Sequence, residues 1–153
     1  MALAVKPTLD QINIVSGDPA ASIAFYRRLG VEIPEDGIWR TPSGIHHVNS
    51  SEHTIEGRGS LELDSTAFAQ LWNPAWEGRS DLRGRVVIGF HVTTRAAVDD
   101  IFRDMTGAGH RGLRAPHDAF WGARYAILED PDGIAVGLMS AVSDDMRSAP
   151  PPV

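Results

Sequence analysis

The 153-residue sequence predicts an α+β protein made of two βαβββ modules, and three observations carry that prediction. An alternating strand, an amphipathic helix and a glycine stop occur in that order twice. Each occurrence is followed by short β-rich stretches bounded by Gly, Pro, Asn and Asp. The two runs are offset by roughly 75 to 80 residues, too long for a solenoid unit and right for a duplicated module. The modules occupy residues 9–64 and 86–140, joined by a connecting segment at 65–85, and the tail at 141–153 is expected to fray.

Gln11 to Val15 (QINIV) alternates, with Ile12 and Ile14 on one face. Asp18 offers a side-chain oxygen to cap a helix, and Pro19 presets its first turn. Ile23, Tyr26 and Leu29 recur at a spacing of three, Phe25 widens the stripe, and Gly30 is placed to end the helix. Gly37, Pro42-Ser43-Gly44 and Gly57-Arg58-Gly59 then cut the chain into three short antiparallel strands at Ile38-Trp39, Ile45 to Val48 and Ser60 to Leu63. Ser65 to Arg85, which holds Trp72, Pro74 and Trp76, reads as a short helix and a connection. Val86 to Val92 (VVIGFHV) opens the second run. Val98, Ile101, Phe102 and Met105 follow at i, i+3, i+4 and i+7 and stop at Gly107-Ala108-Gly109. Arg111 to Arg114, Ala123 to Glu129 and Ile134 to Met139 complete the module, the last two joined by the turn Asp130-Pro131-Asp132-Gly133.

Hydrophobic residues make up 42% of the chain and charged residues 22%, which supports a buried core and excludes wholesale disorder. A net charge of −6 repels a phosphate backbone, and no basic patch offsets it, so no nucleic-acid partner is expected. The absence of cysteine excludes disulfides, thiolate metal ligands and thiol nucleophiles. No apolar run reaches the roughly 18 residues of a membrane span, and the start MALAVKPTLD lacks a signal-peptide pattern, so no membrane partner and a cytoplasmic location are expected. Nucleotide-binding, serine-hydrolase and zincin motifs are all missing.

The stretches SIAFYRRLG (Ser22 to Gly30) and SLEL (Ser60 to Leu63), then Trp121-Gly122 and EDPDG (Glu129 to Gly133) before a terminal strand, together resemble the vicinal oxygen chelate superfamily. This is the glyoxalase, bleomycin-resistance and extradiol-dioxygenase group, and the resemblance covers roughly residues 9 to 140. It implies that the modules form a curved mixed sheet with a ligand cleft, usually completed by a second subunit. It also implies a divalent metal held by up to four side chains, from the first and last strands of each module. Carried over residue by residue, the first-module ligands land on Gln11 and Glu62, types that suit a hard or borderline cation. The second-module positions land on Val87 and, in DPDGIAVGL, on Gly137, neither of which has a ligating side chain. No cofactor is therefore expected. The alternative is Mn, Fe, Ni or Zn on Gln11, Glu62 and His91.

Strand parity assigns the remaining candidates. With Ile88, Phe90 and Val92 toward the helix, Val87, Gly89 and His91 face the cleft. His91 lies about twice the 6–7 Å of a two-residue step from Val87, which favours a hydrogen-bonded wall residue over a replacement ligand. Asn13 shares the face of Gln11, and Glu62 alternates with helix-facing Leu61 and Leu63. Arg124 is expected to point into the cleft, with Tyr125 and Ile127 toward the helix. Glu62, His91 and Arg124 could then act as acid, base and anion anchor for a small polar ligand. Glu62 and Arg124 could equally neutralise one another as a buried pair. Trp39 and Trp121 offer stacking surfaces, or else core packing. Trp72 and Trp76 are expected to plug the module junction or a dimer interface. His46 and His47 point to opposite faces and cannot share one ion; with His53, His110 and His117 they are expected to be surface or loop residues.

These readings predict a metal-independent small-molecule-binding protein whose cleft is lined by Gln11, Asn13, Trp39, Glu62, His91, Trp121 and Arg124. Glu62 and His91 are the catalytic candidates should it be an enzyme, a question the sequence leaves open. The alternative is a divalent-metal-dependent lyase, isomerase or dioxygenase. A homodimer is expected, because a single βαβββ sheet leaves apolar surface and strand edges to cover.

Overall fold

The computed structural model describes residues 11–51, 54, 59–73, 83–84 and 86–152. They fall into two compact units divided after Gly78. The first contains β1 (Gln11–Ser16), α1 (Pro19–Leu29), β2 (Ile38–Thr41), β3 (Gly44–Asn49), β4 (Ser60–Ser65) and α2 (Thr66–Trp72). Its sheet has the order β1-β4-β3-β2, with β1 parallel to β4 and the other pairs antiparallel. The second contains β5 (Val87–Val92), α3 (Arg95–Gly107), β6 (Arg111–Asp118), β7 (Arg124–Glu129) and β8 (Ala135–Ser140). Its sheet, ordered β5-β8-β7-β6, repeats that connectivity with β5 parallel to β8. The expected α+β duplication is therefore present.

Local chemistry sets the boundaries. The Asp18 carboxylate accepts from the Ala21 amide at 3.0 Å at the start of α1. Gly30 ends the helix at φ +108°, a left-handed conformation that favours glycine. Thr94 caps α3 through the Ala97 amide at 3.1 Å. In the β7–β8 turn, Asp130 Oδ1 accepts from the Asp132 and Ile134 amides at 2.9 and 2.8 Å. One face of each sheet packs on its own helix: Ile14, Val48, Leu61 and Leu63 are buried with Phe25 and Tyr26 in the first unit, and Ile88, Ala126, Leu128, Val136 and Leu138 with Val98 and Met105 in the second. Each large apolar side chain so buried contributes about 1.5–3 kcal/mol.

The registers of the two sheets correspond. Asn13 lies opposite Glu62 as Gly89 lies opposite Gly137, and His47 lies opposite Asp64 as Tyr125 lies opposite Met139. Two expectations need correction. Strand β6 runs on to Asp118 with two register irregularities, tolerating Pro116 because it is an edge strand. The tail does not simply fray: the Ser143 amide donates to Gly122 O at 3.1 Å and the Ser148 amide to Phe120 O at 2.9 Å. His53, Trp76 and residues 74–82 and 85 of the connecting segment lie outside the described residues. Among the described residues no helix is long and apolar enough to cross a membrane.

Candidate functional site

The sheet faces opposite α1 and α3 carry most of the polar and aromatic side chains singled out above. In the first unit, Asn13, Glu62, Asp64 and His47 form one cluster. The Asp64 side chain is only 2% exposed. Its carboxylate accepts from Trp72 Nε1 at 2.8 Å and Asn13 Nδ2 at 3.0 Å, and its other oxygen pairs with His47 Nδ1. A carboxylate can only accept, so this contact places a proton on His47 Nδ1 and leaves Nε2 as the second ring nitrogen, 4.0 Å from Glu62 Oε2. Glu62 also accepts from Ser60 Oγ at 3.0 Å and lies 3.4 Å from Asn13 Nδ2. Asn13 Oδ1 is buried with no hydrogen-bond partner among the described residues.

Helix α2 is what buries this face. Following β4 directly, it places the Phe68 ring edge-on to Trp39 and His47, at centroid distances of 5.3 and 5.7 Å, and brings Trp72 to Asp64. Trp72, expected at a junction or dimer interface, is therefore a partner of Asp64. His47, expected to be an ordinary surface residue, is held by it too. His46 points elsewhere, with Nε2 2.6 Å from Thr41 Oγ1. Gln11 is exposed and pairs with Ser60, so Asn13 rather than Gln11 is the β1 neighbour of Glu62. Trp39 remains half exposed.

In the second unit, Val87, Gly89 and His91 are exposed and share the face away from α3, as parity predicts. The Tyr125 ring lies across Gly137: a Cβ built there would stand 2.8 Å from Tyr125 Oη and 3.1 Å from a ring carbon. Trp121 and His117 meet that ring edge-on at 5.4 and 5.9 Å, and Phe120 packs on Trp121 at 5.1 Å. Trp121 Nε1 is buried without a partner among the described residues. Tyr125 thus faces away from the helix, contrary to expectation, and His117 belongs to β6 rather than a loop.

Arg124 is the corresponding correction. Its guanidinium donates to both oxygens of Asp99 on α3, from Nε at 3.1 Å and Nη2 at 2.6 Å, and from Nη1 to Asp118 at 3.1 Å. It shares the helix-side parity of buried Ala126 and Leu128, so it clamps α3 to the sheet instead of anchoring an anion. These hydrogen bonds hold the Asp99 and Asp118 carboxyls below their ordinary 3.8 and push the Arg124 guanidinium up. Depressed carboxyls stabilise the fold above that ordinary value, and the contribution disappears as pH falls below it. Arg124→Leu is accordingly expected to flatten the acid limb of a melting-temperature profile below pH about 4, by a modest amount because the groups are partly solvated.

Paired βαβββ units with polar and aromatic side chains on their helix-free faces define a duplicated-module class of protein. The chain belongs to the Glyoxalase/Bleomycin resistance protein/Dioxygenase superfamily, whose model matches residues 8–138. Its structure is similar to that of a glyoxalase-related enzyme from Fulvimarina pelagi, at 19% identity over 88% of each chain with a TM-score of 0.69. A glyoxalase/bleomycin resistance protein/dioxygenase family enzyme from Burkholderia phytofirmans PsJN is 21% identical over 87% of this chain and 98% of its own, with a TM-score of 0.67. A lactoylglutathione lyase from Agrobacterium tumefaciens is 19% identical over 90% of this chain and 96% of its own, with a TM-score of 0.62. At these identities the likeness is one of fold. A comparison with curated proteins finds no match.

The four-ligand metal centre implied by the resemblance does not fit this chain. Val87 and Gly137 supply no donor, and the space a longer side chain at 137 would enter is filled by the Tyr125 phenol. In the first unit the Glu62 carboxylate is already engaged by Ser60 and Asn13. Among the described residues, no group of three or more His, Asp or Glu has a geometry that could hold a metal ion. His91 stands beside Met139, displaced along β5 from Val87. The residues missed from sequence are Asp64, His47, Phe68, Tyr125 and His117. Period-two alternation alone places Asp64 on the face of Glu62, and it was the available signal.

Proposed function

We propose that this protein binds a small molecule without the family's divalent metal, holding it against the aromatic and polar helix-free faces. The observation that carries this reading is Gly137 beneath the Tyr125 phenol, together with the apolar Val87: where the family's second-module donors belong, this chain presents an aliphatic side chain and an aromatic cover. Aromatic walls with a few convergent polar groups are the usual composition of small-molecule sites. The test is denaturing extraction of protein purified in excess EDTA, followed by mass spectrometry. A single co-purified compound that rebinds to the stripped protein in EDTA is expected, and rebinding only after a divalent ion is restored would overturn the reading.

A second reading is supported by His47. An imidazole oriented by a buried carboxylate, with its other nitrogen near Glu62, has the base-and-orienter arrangement of metal-free proton transfer. If it operates, the recovered compound exchanges a carbon-bound proton in D₂O with wild-type protein and not with His47→Asn, while both bind it. We further propose a homodimer, since each sheet ends on edge strands, β1 and β2 in one and β5 and β6 in the other. Light scattering at micromolar concentration should give twice the chain mass, and a monodisperse monomer would contradict it.

A further inference from the structure

We propose that the second unit presents a glycine floor for a planar aromatic ligand bearing an acidic oxygen, a specificity that rests on the small-molecule reading above. Gly89 on β5 and Gly137 on β8 are direct register partners on the face away from α3. Interior strand glycines weaken a strand, and where neither a bulge nor a bend explains them they mark a close approach to bare backbone. Both glycines here sit in regular pairing and neither has the positive φ that demands glycine. Among the described residues no heavy atom lies within 4 Å of a Cβ built on Gly89, so they leave the space above it open. At Gly137 the Tyr125 phenol takes the space of the missing side chain, so the open part of the floor is at Gly89 and the Tyr125 ring forms its edge.

The surroundings select the ligand. Two register positions along, on the same face, His117, Tyr125, Met139 and His91 line up across the four strands, giving polarisable and aromatic edges beside a flat patch. No described residue donates to or accepts from the Tyr125 hydroxyl, and the buried Nε1 of Trp121, whose ring meets Tyr125 edge-on, has no partner among the described residues. The described carboxylate on this face, Glu129, is ion-paired with Arg111 at 3.3 Å and Arg83 at 3.7 Å. Two imidazoles without a free carboxylate favour a neutral or anionic oxygen over a cation. A flat ring stacked on peptide groups, with its oxygen at Tyr125, satisfies each of these features.

The experiment titrates full-length protein with 2-naphthoate, and with cyclohexanecarboxylate as a non-planar control, by amide chemical shifts. Binding of 2-naphthoate with shifts at Gly89, Gly137 and Tyr125, and weaker binding of the control, is expected. Gly89→Val fits the open space and suits a strand, so it should melt at or above the wild type while weakening 2-naphthoate by about tenfold or more. Tyr125→Phe keeps the ring and loses the hydroxyl, for about a fivefold loss. Equal affinity in a folded Gly89→Val, equal binding of the two acids, or no binding at millimolar concentration overturns the proposal. Shifts confined to the first unit overturn the floor while leaving small-molecule binding intact, whereas dependence of a co-purified compound on metal overturns the functional reading and not the floor.

Discussion

Asp64→Ala lowers the melting temperature by about 6–12 °C, the shift produced by roughly 3 kcal/mol in a chain of this size. The carboxylate is buried and joined to three donors: His47 Nδ1, Asn13 Nδ2 and Trp72 Nε1. Removing it leaves all three donors without that partner, Asn13 Nδ2 and His47 Nδ1 on the sheet and Trp72 Nε1 on α2 itself, and a buried group left unpaired costs about 1–3 kcal/mol. Partial access to water from the Trp72 side keeps the total below the full sum. Because Trp72 and Asp64 share one contact, Trp72→Phe in the Asp64→Ala background should cost less than in the wild type. Additive effects in that cycle, measured by urea unfolding, would show that Asp64 does not hold α2 on the sheet.

Gly137→Glu is expected to destabilise by about 1–3 kcal/mol, the usual size of an overpacking penalty. Its Cβ would meet Tyr125 Oη at 2.8 Å and ring carbons at 3.1 and 3.3 Å, so the phenol must leave the sheet before the new side chain can enter. The cost is steric and specific to one ring. Tyr125→Ala in the same chain should therefore recover most of it, whereas Val87→His, at a position 49% exposed, should be nearly neutral by itself. Equal destabilisation by Gly137→Glu with and without Tyr125 would show that something other than the phenol closes this position.

Both modules were legible from the sequence because their signals are local. Asp18 and Pro19, the stop at Gly30 and the turn at Asp130 to Gly133 each specify their geometry within a few residues, and the structure follows them. Period-two alternation placed Glu62 and His91 on the correct faces as well. It failed at β7, where the phase was off by one residue: Tyr125 and Ile127 were expected toward the helix, and Arg124, Ala126 and Leu128 lie on that side instead. The partner that holds Arg124, Asp99, lies one helix away, and no local pattern announces it. Asp64 and His47 were readable by parity, yet nothing near them in sequence says that α2 folds back over that face and buries the carboxylate. That docking is a tertiary event, set by Phe68 and Trp72 finding partners on other strands. The Tyr125 ring over Gly137 is hidden for the same reason: the sequence shows a missing carboxylate, and only the register shows what occupies its place.

A site that works without the family's divalent metal leaves its signature in the metal content of the purified protein. Protein purified without chelator should carry Mn, Fe, Ni and Zn far below one ion per chain, and its melting temperature should be unchanged by EDTA. A bound ion at 100 times its dissociation constant would instead add about 2.7 kcal/mol to the folded state, a shift the melt would register. Stoichiometric metal that is lost on Glu62→Ala in a folded protein would contradict the account.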